Sequence, residues 1–563
     1  MPEWLSRPDP IHDYAFAALM ILALVMPRLG DAIFGPIERW GIRLADRKTL
    51  AIIAAGVAAI LLRLSLAPFG PLVPVPHVHD EMSYLLAADT FAHGRLTNPA
   101  HPLRIFFDTI HVNQLPTYMS KYPPAQGAVL AIGQLLGSPW IGVLLSVAAM
   151  CAAIVWMLQG WMPARWALLG GVLVIARYAA GNYWVDSYWG GAVAATGGAL
   201  VLGALPRIIH HQRARDALLL GLGAAILATS RPFEGLFFFL PVAVALLLWL
   251  ARRPAAPLRI TMRQVVGPLV VVLILTGAFI GYYNWRLTGH ALLFPYVLNN
   301  QTYSSTPNFV WQDLRPSLHY ANAQFDEYYN NWMHSIFEQT RFDGWRTGLA
   351  HEYQAKLVAF QRYFLPTEFW VPVAATLFWL VRDRKFWQVF APFAFCFAAL
   401  TTVVWFEPHY AAPLLGALMA ILVQALRHLR RWKWHARPIG IGLSRAVVLF
   451  VLATMPFRVA SSFREAAADP SIQQMSYRVQ FLGQLEASPG NHLVLVHYGE
   501  NHDVGQEWVY NRADIDHAKV IWARAIPGVD TRSLRTYFSD RIIWDVDADS
   551  DPPRLAAHQE AQH

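Results

Sequence analysis

The sequence is short of charge. Asp, Glu, Lys and Arg make up 15% of its 563 residues, against about 25% in soluble proteins. So few ionisable groups cannot clothe a soluble surface of this size, and AVILMFWYC at 55% is far from the composition of a disordered chain. Cysteine is almost absent. Cys151 and Cys396 both lie in apolar stretches, which excludes a disulfide framework. There is no G-x-x-x-x-G-K-[ST] loop, which argues against nucleotide-driven transport by this chain. No internal repeat is visible.

What the sequence does contain is apolar runs, each near the roughly 20 residues that cross a bilayer. They fall near 14–34, 49–67, 139–158, 165–181, 190–206, 217–231, 235–251, 265–283, 366–382, 386–404, 411–428 and 440–457. This predicts an α-helical polytopic membrane protein of about twelve transmembrane helices. The first run is interrupted by Pro27 and Arg28. Its front is too weakly basic, and lacks the small-residue cleavage site, for a removable signal peptide.

Basic residues mark one set of alternate loops. They are Arg28, Arg39, Arg43, Arg47 and Lys48; Arg165; Arg207, Arg213 and Arg215; Arg252, Arg253, Arg259 and Arg263. The series continues with Arg382, Arg384 and Lys385, then Arg427, Arg430, Arg431, Lys433 and Arg437. The facing loop 68–124 holds only Arg95, Arg104 and Lys121. Positive loops stay cytoplasmic, so loops 68–124 and 284–365 and the tail from 458 are expected to face outward from the plasma (inner) membrane. The net charge of +8 is then a topology signal, and no nucleic-acid partner is expected. Parity requires 125–158 to cross once, so 128–136 reads as a juxtamembrane helix broken at Gly137-Ser138-Pro139. Gly190, Ala194 and Gly198 recur every fourth residue and favour close helix approach. In the tail, 493–498, 519–522 and 541–544 read as strands, with a helix around 531–539. The expected domains are 1–48 (an extra span and basic loop), 49–457 (the transmembrane module) and 458–563 (a small extracytoplasmic α/β domain). The last dozen residues read as disordered.

Candidate chemistry clusters in the outward loops. His77-Val78-His79-Asp80-Glu81 puts two adjacent carboxylates about a dozen residues beyond a span. There they are costly unless solvated, paired or working. Asp80 suits a general base, while the bland reading is acidic residues favouring the first turn of a helix. Lys121, just before Pro123-Pro124, suits a lipid phosphate or simply snorkels to headgroups. Asp108 is a further acidic candidate. The turn 182–189 offers Asp186 among aromatics, read as a membrane-interface belt or a sugar surface. Arg231 and Glu234 read as a local ion pair. His409 suits a phosphate hydrogen bond or a helix cap. His77, His79, Asp80 and Glu81 have metal-ligand chemistry, so a divalent metal ion stays open. No other cofactor is implied.

The order of these features resembles the GT-C superfamily of polytopic glycosyltransferases, especially bacterial relatives of protein O-mannosyltransferases and of the lipid A aminoarabinose transferase. The resemblance spans about 49–427. It rests on Asp80-Glu81 with Tyr84, continuing Ala87-Ala88-Asp89 and His93-Gly94-Arg95-Leu96, and on Lys121 before its prolines. His409-Tyr410 stands where relatives often have Arg-Tyr. The resemblance implies an inverting transferase that takes a sugar from a polyprenyl-phosphate donor to an acceptor hydroxyl on a lipid, polysaccharide or protein, among membrane lipids at the outer face. Asp80 would be the base, with Glu81 orienting it or binding the donor sugar. Lys121, His409 and Arg231 would hold the donor phosphate, and Tyr84, Asp108, Asp186 and Tyr410 would meet sugar. A lipid or sugar transporter without catalysis, and a polymerase or ligase moving a whole lipid-linked glycan, are the competing readings.

Overall fold

The computed structural model describes residues 10–252, 258–341 and 344–558. Arg253 of the basic series lies outside them. All twelve apolar runs are helical. Among the described residues, seven helices are long and apolar enough to cross a membrane, or up to eight counting one bent pair. The others are shorter than the expected twelve spans require, because prolines and polar corners cut them, as at Pro163 and Arg231. The protein is nonetheless a multi-pass helical bundle carrying a small C-terminal α/β unit.

The run 14–34 is not one span. Pro10–Val25 is a short apolar helix. After a turn at Pro27, the helix Asp31–Asp46 is amphipathic, with Ile33, Ile37 and Trp40 exposed. Glu38 on its polar side accepts two 2.9 Å bonds from Arg430. At the centre of the bundle, 94% of the apolar window in Pro408–Leu429 is buried, whereas Leu258–Thr288 at the rim has 6% buried. The juxtamembrane helix forms as Pro124–Leu135 and turns back at 136–138 into Pro139–Trp161. A Cβ on Gly133 would come within 2.2 Å of the Gly142 nitrogen, so the two helices touch backbone to backbone.

Two regions position the chemistry. In the loop 68–124, the helix His79–Ala92 packs on a small antiparallel sheet of β1 (Asn98–Pro99), β2 (Val112–Asn113) and β3 (Thr117–Ser120), ordered β1-β3-β2. The tail folds as β4 (His492–His497), β5 (Val520–Arg524), the helix Arg532–Tyr537, β6 (Ile542–Asp547) and β7 (Arg554–Ala557). The sheet order is β5-β4-β6-β7, with β4 parallel to β5 and β6. Two expectations are corrected here. The end of the chain is not wholly disordered, because β7 pairs antiparallel with β6; residues 559–563 lie outside the described set. Position 458 falls inside the helix Ile439–Ala468, so no break separates membrane helix from tail there. Trp508 and Trp522 form a buried edge-to-face pair, 6.0 Å between centroids, and therefore serve the core.

Gly198 sits where the helix Ala192–His211 meets the 408–414 turn, and a Cβ there would lie 2.3 Å from the Pro413 carbonyl oxygen. Gly198→Val forces the two elements apart, an overpacking cost of about 1–3 kcal/mol. The expected result is a lowered unfolding midpoint in detergent, whereas the same change at Gly277, with nothing within 4 Å of its Cβ, leaves it nearly unmoved.

Candidate active site at the Asp80 helix

Asp80 occupies the first turn of His79–Ala92, where the positive end of the helix favours a carboxylate. Its Oδ1 accepts the Tyr122 hydroxyl, and its Oδ2 lies 3.7 Å from His111 Nε2. Lys121 precedes Tyr122 in the chain, so the same strand end that delivers the hydroxyl also delivers the cation. The Lys121 ammonium sits over the rings of Tyr296 (4.9 Å) and Tyr122 (5.3 Å). Burial pushes its pKa down to about 8, opposed by the charge of Asp80. Beside it lies a small cleft of ≈ 20 Å³, whose lining includes Lys121, Pro123, Ala228, Ile280, Tyr283 and Tyr296.

Arg231 enters from the corner between two membrane helices. Its guanidinium lies over the Tyr410 ring at 4.3 Å and within the electrostatic reach of Tyr84, Glu234 and Tyr122. Tyr84 is stacked on Tyr122, centroids 4.5 Å apart. Asp80, Lys121, Arg231, Tyr84 and Tyr410 are therefore brought together, although four separate stretches of chain supply them. Glu407 joins them: burial, and then the charge of Asp80, push its carboxyl up to about 8.

Other expected residues are engaged elsewhere. Glu81 is fully buried and spends both oxygens on backbone. Oε2 accepts the N–H groups of His77 (2.9 Å) and Val78 (3.3 Å), and Oε1 accepts that of Tyr188 (2.8 Å). It is the carboxylate half of a capping arrangement, and its hydrogen bonds run to backbone N–H groups and not to Asp80. Asp186 pairs with the buried Arg63 at 2.7 Å and accepts the Asn182 N–H, neutralising a cation inside the bundle. Asp108 stands with Arg104 and Arg524, its carboxyl pushed up to about 6 by burial. It belongs to the contact with the tail. His409 is 1% exposed, enclosed by Trp189, Tyr410 and Tyr183, whose hydroxyl is 3.2 Å from Nδ1.

The metal alternative meets a similar obstacle. His79 has both ring nitrogens occupied, Nε2 by the Val504 carbonyl at 2.7 Å and Nδ1 by the Tyr510 hydroxyl at 2.9 Å. Among the described residues no group of three or more His, Cys, Asp or Glu is arranged to hold a metal ion. The sequence reading overlooked His111 altogether and the tail as a neighbour of Asp80. Neither carries a local signal, since each reaches the site across a long loop or several hundred residues.

The architecture is a polytopic helical bundle with a small C-terminal α/β unit. No family model matches the chain, and no curated protein matches it in sequence. Among solved structures it is similar to ArnT from Cupriavidus metallidurans bound to undecaprenyl phosphate, with a TM-score of 0.50 at 12% identity over 88% of this chain and 92% of that one. It is also similar, at a TM-score of 0.45 and 10% identity, to the Archaeoglobus fulgidus oligosaccharyltransferase, of which it spans 62%. The likeness to ArnT is one of fold.

Replacing Glu81 by Ala strips one buried and two part-buried N–H groups of their acceptor, at about 1–3 kcal/mol for a buried group left unsatisfied. The expected outcome is a large fall in thermal stability, with Asp186→Asn falling less because its partner Arg63 keeps the Pro71 and Leu72 carbonyls at 3.1 Å.

Proposed function

We propose that this protein is an inverting glycosyltransferase that moves a sugar from a polyprenyl-phosphate donor to an acceptor hydroxyl at the outer face of the membrane. The observation that carries the reading is the meeting of one hydrogen-bonded carboxylate with a buried ammonium and a half-buried guanidinium, at the ends of membrane helices. The ArnT structure of like fold was solved with undecaprenyl phosphate, a lipid of the proposed donor class. In this reading loops 68–124 and 284–365 and the tail face outward, and 49–457 is the catalytic module.

The acceptor oxygen attacks the anomeric carbon on the face opposite the phosphate. As that C–O bond forms, the hydroxyl proton passes to the Asp80 carboxylate. The bond from the anomeric carbon to the phosphate oxygen breaks, and its electron pair leaves with the polyprenyl phosphate. One displacement inverts the centre, through a transition state of oxocarbenium character. The growing phosphate charge is met by Lys121 and Arg231, whose fields act strongly because the site is poorly solvated. Tyr410 and Tyr84 hold Arg231, and Tyr122 orients Asp80. Glu407, with its carboxyl pushed up to about 8, is protonated at neutral pH and can donate to a sugar hydroxyl without adding a second negative charge. A transporter would place its working charges midway along spans. Here they sit at helix ends, which favours transfer. A ligase for whole glycans shares this chemistry and differs only in the donor it accepts.

Asp80→Asn should lower transfer from a purified polyprenyl-phosphate sugar by about 10²–10⁴-fold, and near-normal turnover would remove Asp80 from the base role. Lys121 gives a second test. Its cation is present below about pH 8 and lost above it. Donor affinity should therefore be flat near pH 7 and weaken as pH rises past 8. Lys121→Arg should abolish that decline, because a guanidinium stays charged; a wild-type affinity with no such decline would move the phosphate elsewhere.

A further inference from the structure

His111 is held in a conformation that its chemistry alone does not favour. Its φ is +67°, in the left-handed region that L side chains seldom enter. Of the four non-glycine residues with positive φ among those described, His111 alone is buried, at 7% exposed. Two bonds fix its backbone there. The His111 carbonyl accepts the Ser83 hydroxyl at 2.7 Å and the Lys121 N–H at 3.2 Å. Ser83 lies on the Asp80 helix, and Lys121 is the proposed phosphate ligand. Such strain persists where surrounding structure over-determines it, and it gathers at functional sites.

The strain aims the imidazole at Asp80. Nε2 lies 3.7 Å from Asp80 Oδ2 and 3.3 Å from the Tyr328 hydroxyl. Nδ1 is buried with no hydrogen-bond partner among the described residues. A proton on Nδ1 would bury an unsatisfied N–H and turn a lone pair toward the carboxylate. The proton therefore belongs on Nε2, facing Oδ2. At 3.7 Å that contact is longer than a formed hydrogen bond, and catalytic contacts of this kind close when substrate arrives.

We propose that His111 is the positioning residue for Asp80: its Nε2–H takes Oδ2 while Tyr122 takes Oδ1, fixing the carboxylate plane so that one lone pair meets the acceptor hydroxyl. This rests on Asp80 being the base. The charged or titratable groups around it are Asp80 and His79 from the helix, Lys121 from the strand end, and Tyr328 from the loop 284–365.

The test is His111→Gly in the full-length enzyme. Glycine accepts this backbone geometry without strain, so thermal stability should hold while kcat falls by about 10–100-fold, the scale of a misplaced catalytic group. Affinity for a polyprenyl-phosphate sugar should stay unchanged, and added imidazole should restore part of kcat. With Asp80→Asn also present, His111→Gly should cost little more, because the two act as one unit. The proposal is overturned if His111→Gly keeps full kcat while Asp80→Asn does not, if donor affinity falls in step with kcat, or if the two losses multiply. Retained activity in Asp80→Asn alone would instead defeat the base assignment itself.

Discussion

The end of the protein that carries the Asp80 helix is organised by one electrostatic constraint. A carboxylate, an ammonium and a guanidinium sit together where the protein has displaced much of the water, and each alone would be destabilising there. Asp80 is offset by the helix end it occupies, by the Tyr122 hydroxyl and by the field of Lys121. Arg231 is offset by the faces of Tyr410 and the carboxylate of Glu234. Remove one partner and the others become uncompensated. The loops that carry them are held by that mutual need as much as by packing.

The same constraint explains why the tail belongs to the site although its nearest residue is some four hundred positions from Asp80. Tyr510 meets His79 and the Ile110 carbonyl, while the Ala513 N–H donates to Asp89 at 2.8 Å. Both contacts grip the Asp80 helix, one at its first residue and one three turns on. Glu81 ties the same helix to the 187–189 turn. A helix clamped in its first turn and again near its end holds its first-turn carboxylate in one place, which is what proton transfer at a fixed distance demands.

Part of this was legible in the linear chain. The apolar runs marked the helices because crossing lipid leaves no other use for them, and 493–498, 519–522 and 541–544 marked strands β4, β5 and β6. Asp80, Lys121 and Arg231 stood out as charges next to membrane segments, where charge is expensive. Their neighbours were harder to read. Glu81 looked like a partner of Asp80 because the two are adjacent, yet successive helical residues point about 100° apart, and it turns to backbone donors instead. Asp186 looked free because its partner Arg63 is 123 residues away.

Hydrophobicity and the price of unpaired charge act on composition and local order, so the helical membrane plan and the three charges worth watching follow from the amino-acid order directly. Which of those charges meet, that His409 turns into an aromatic pocket, and that His111 is bent toward Asp80 follow only from the packed chain. Those facts are distances between segments far apart in number, and no local rule of periodicity or charge carries a distance of that kind.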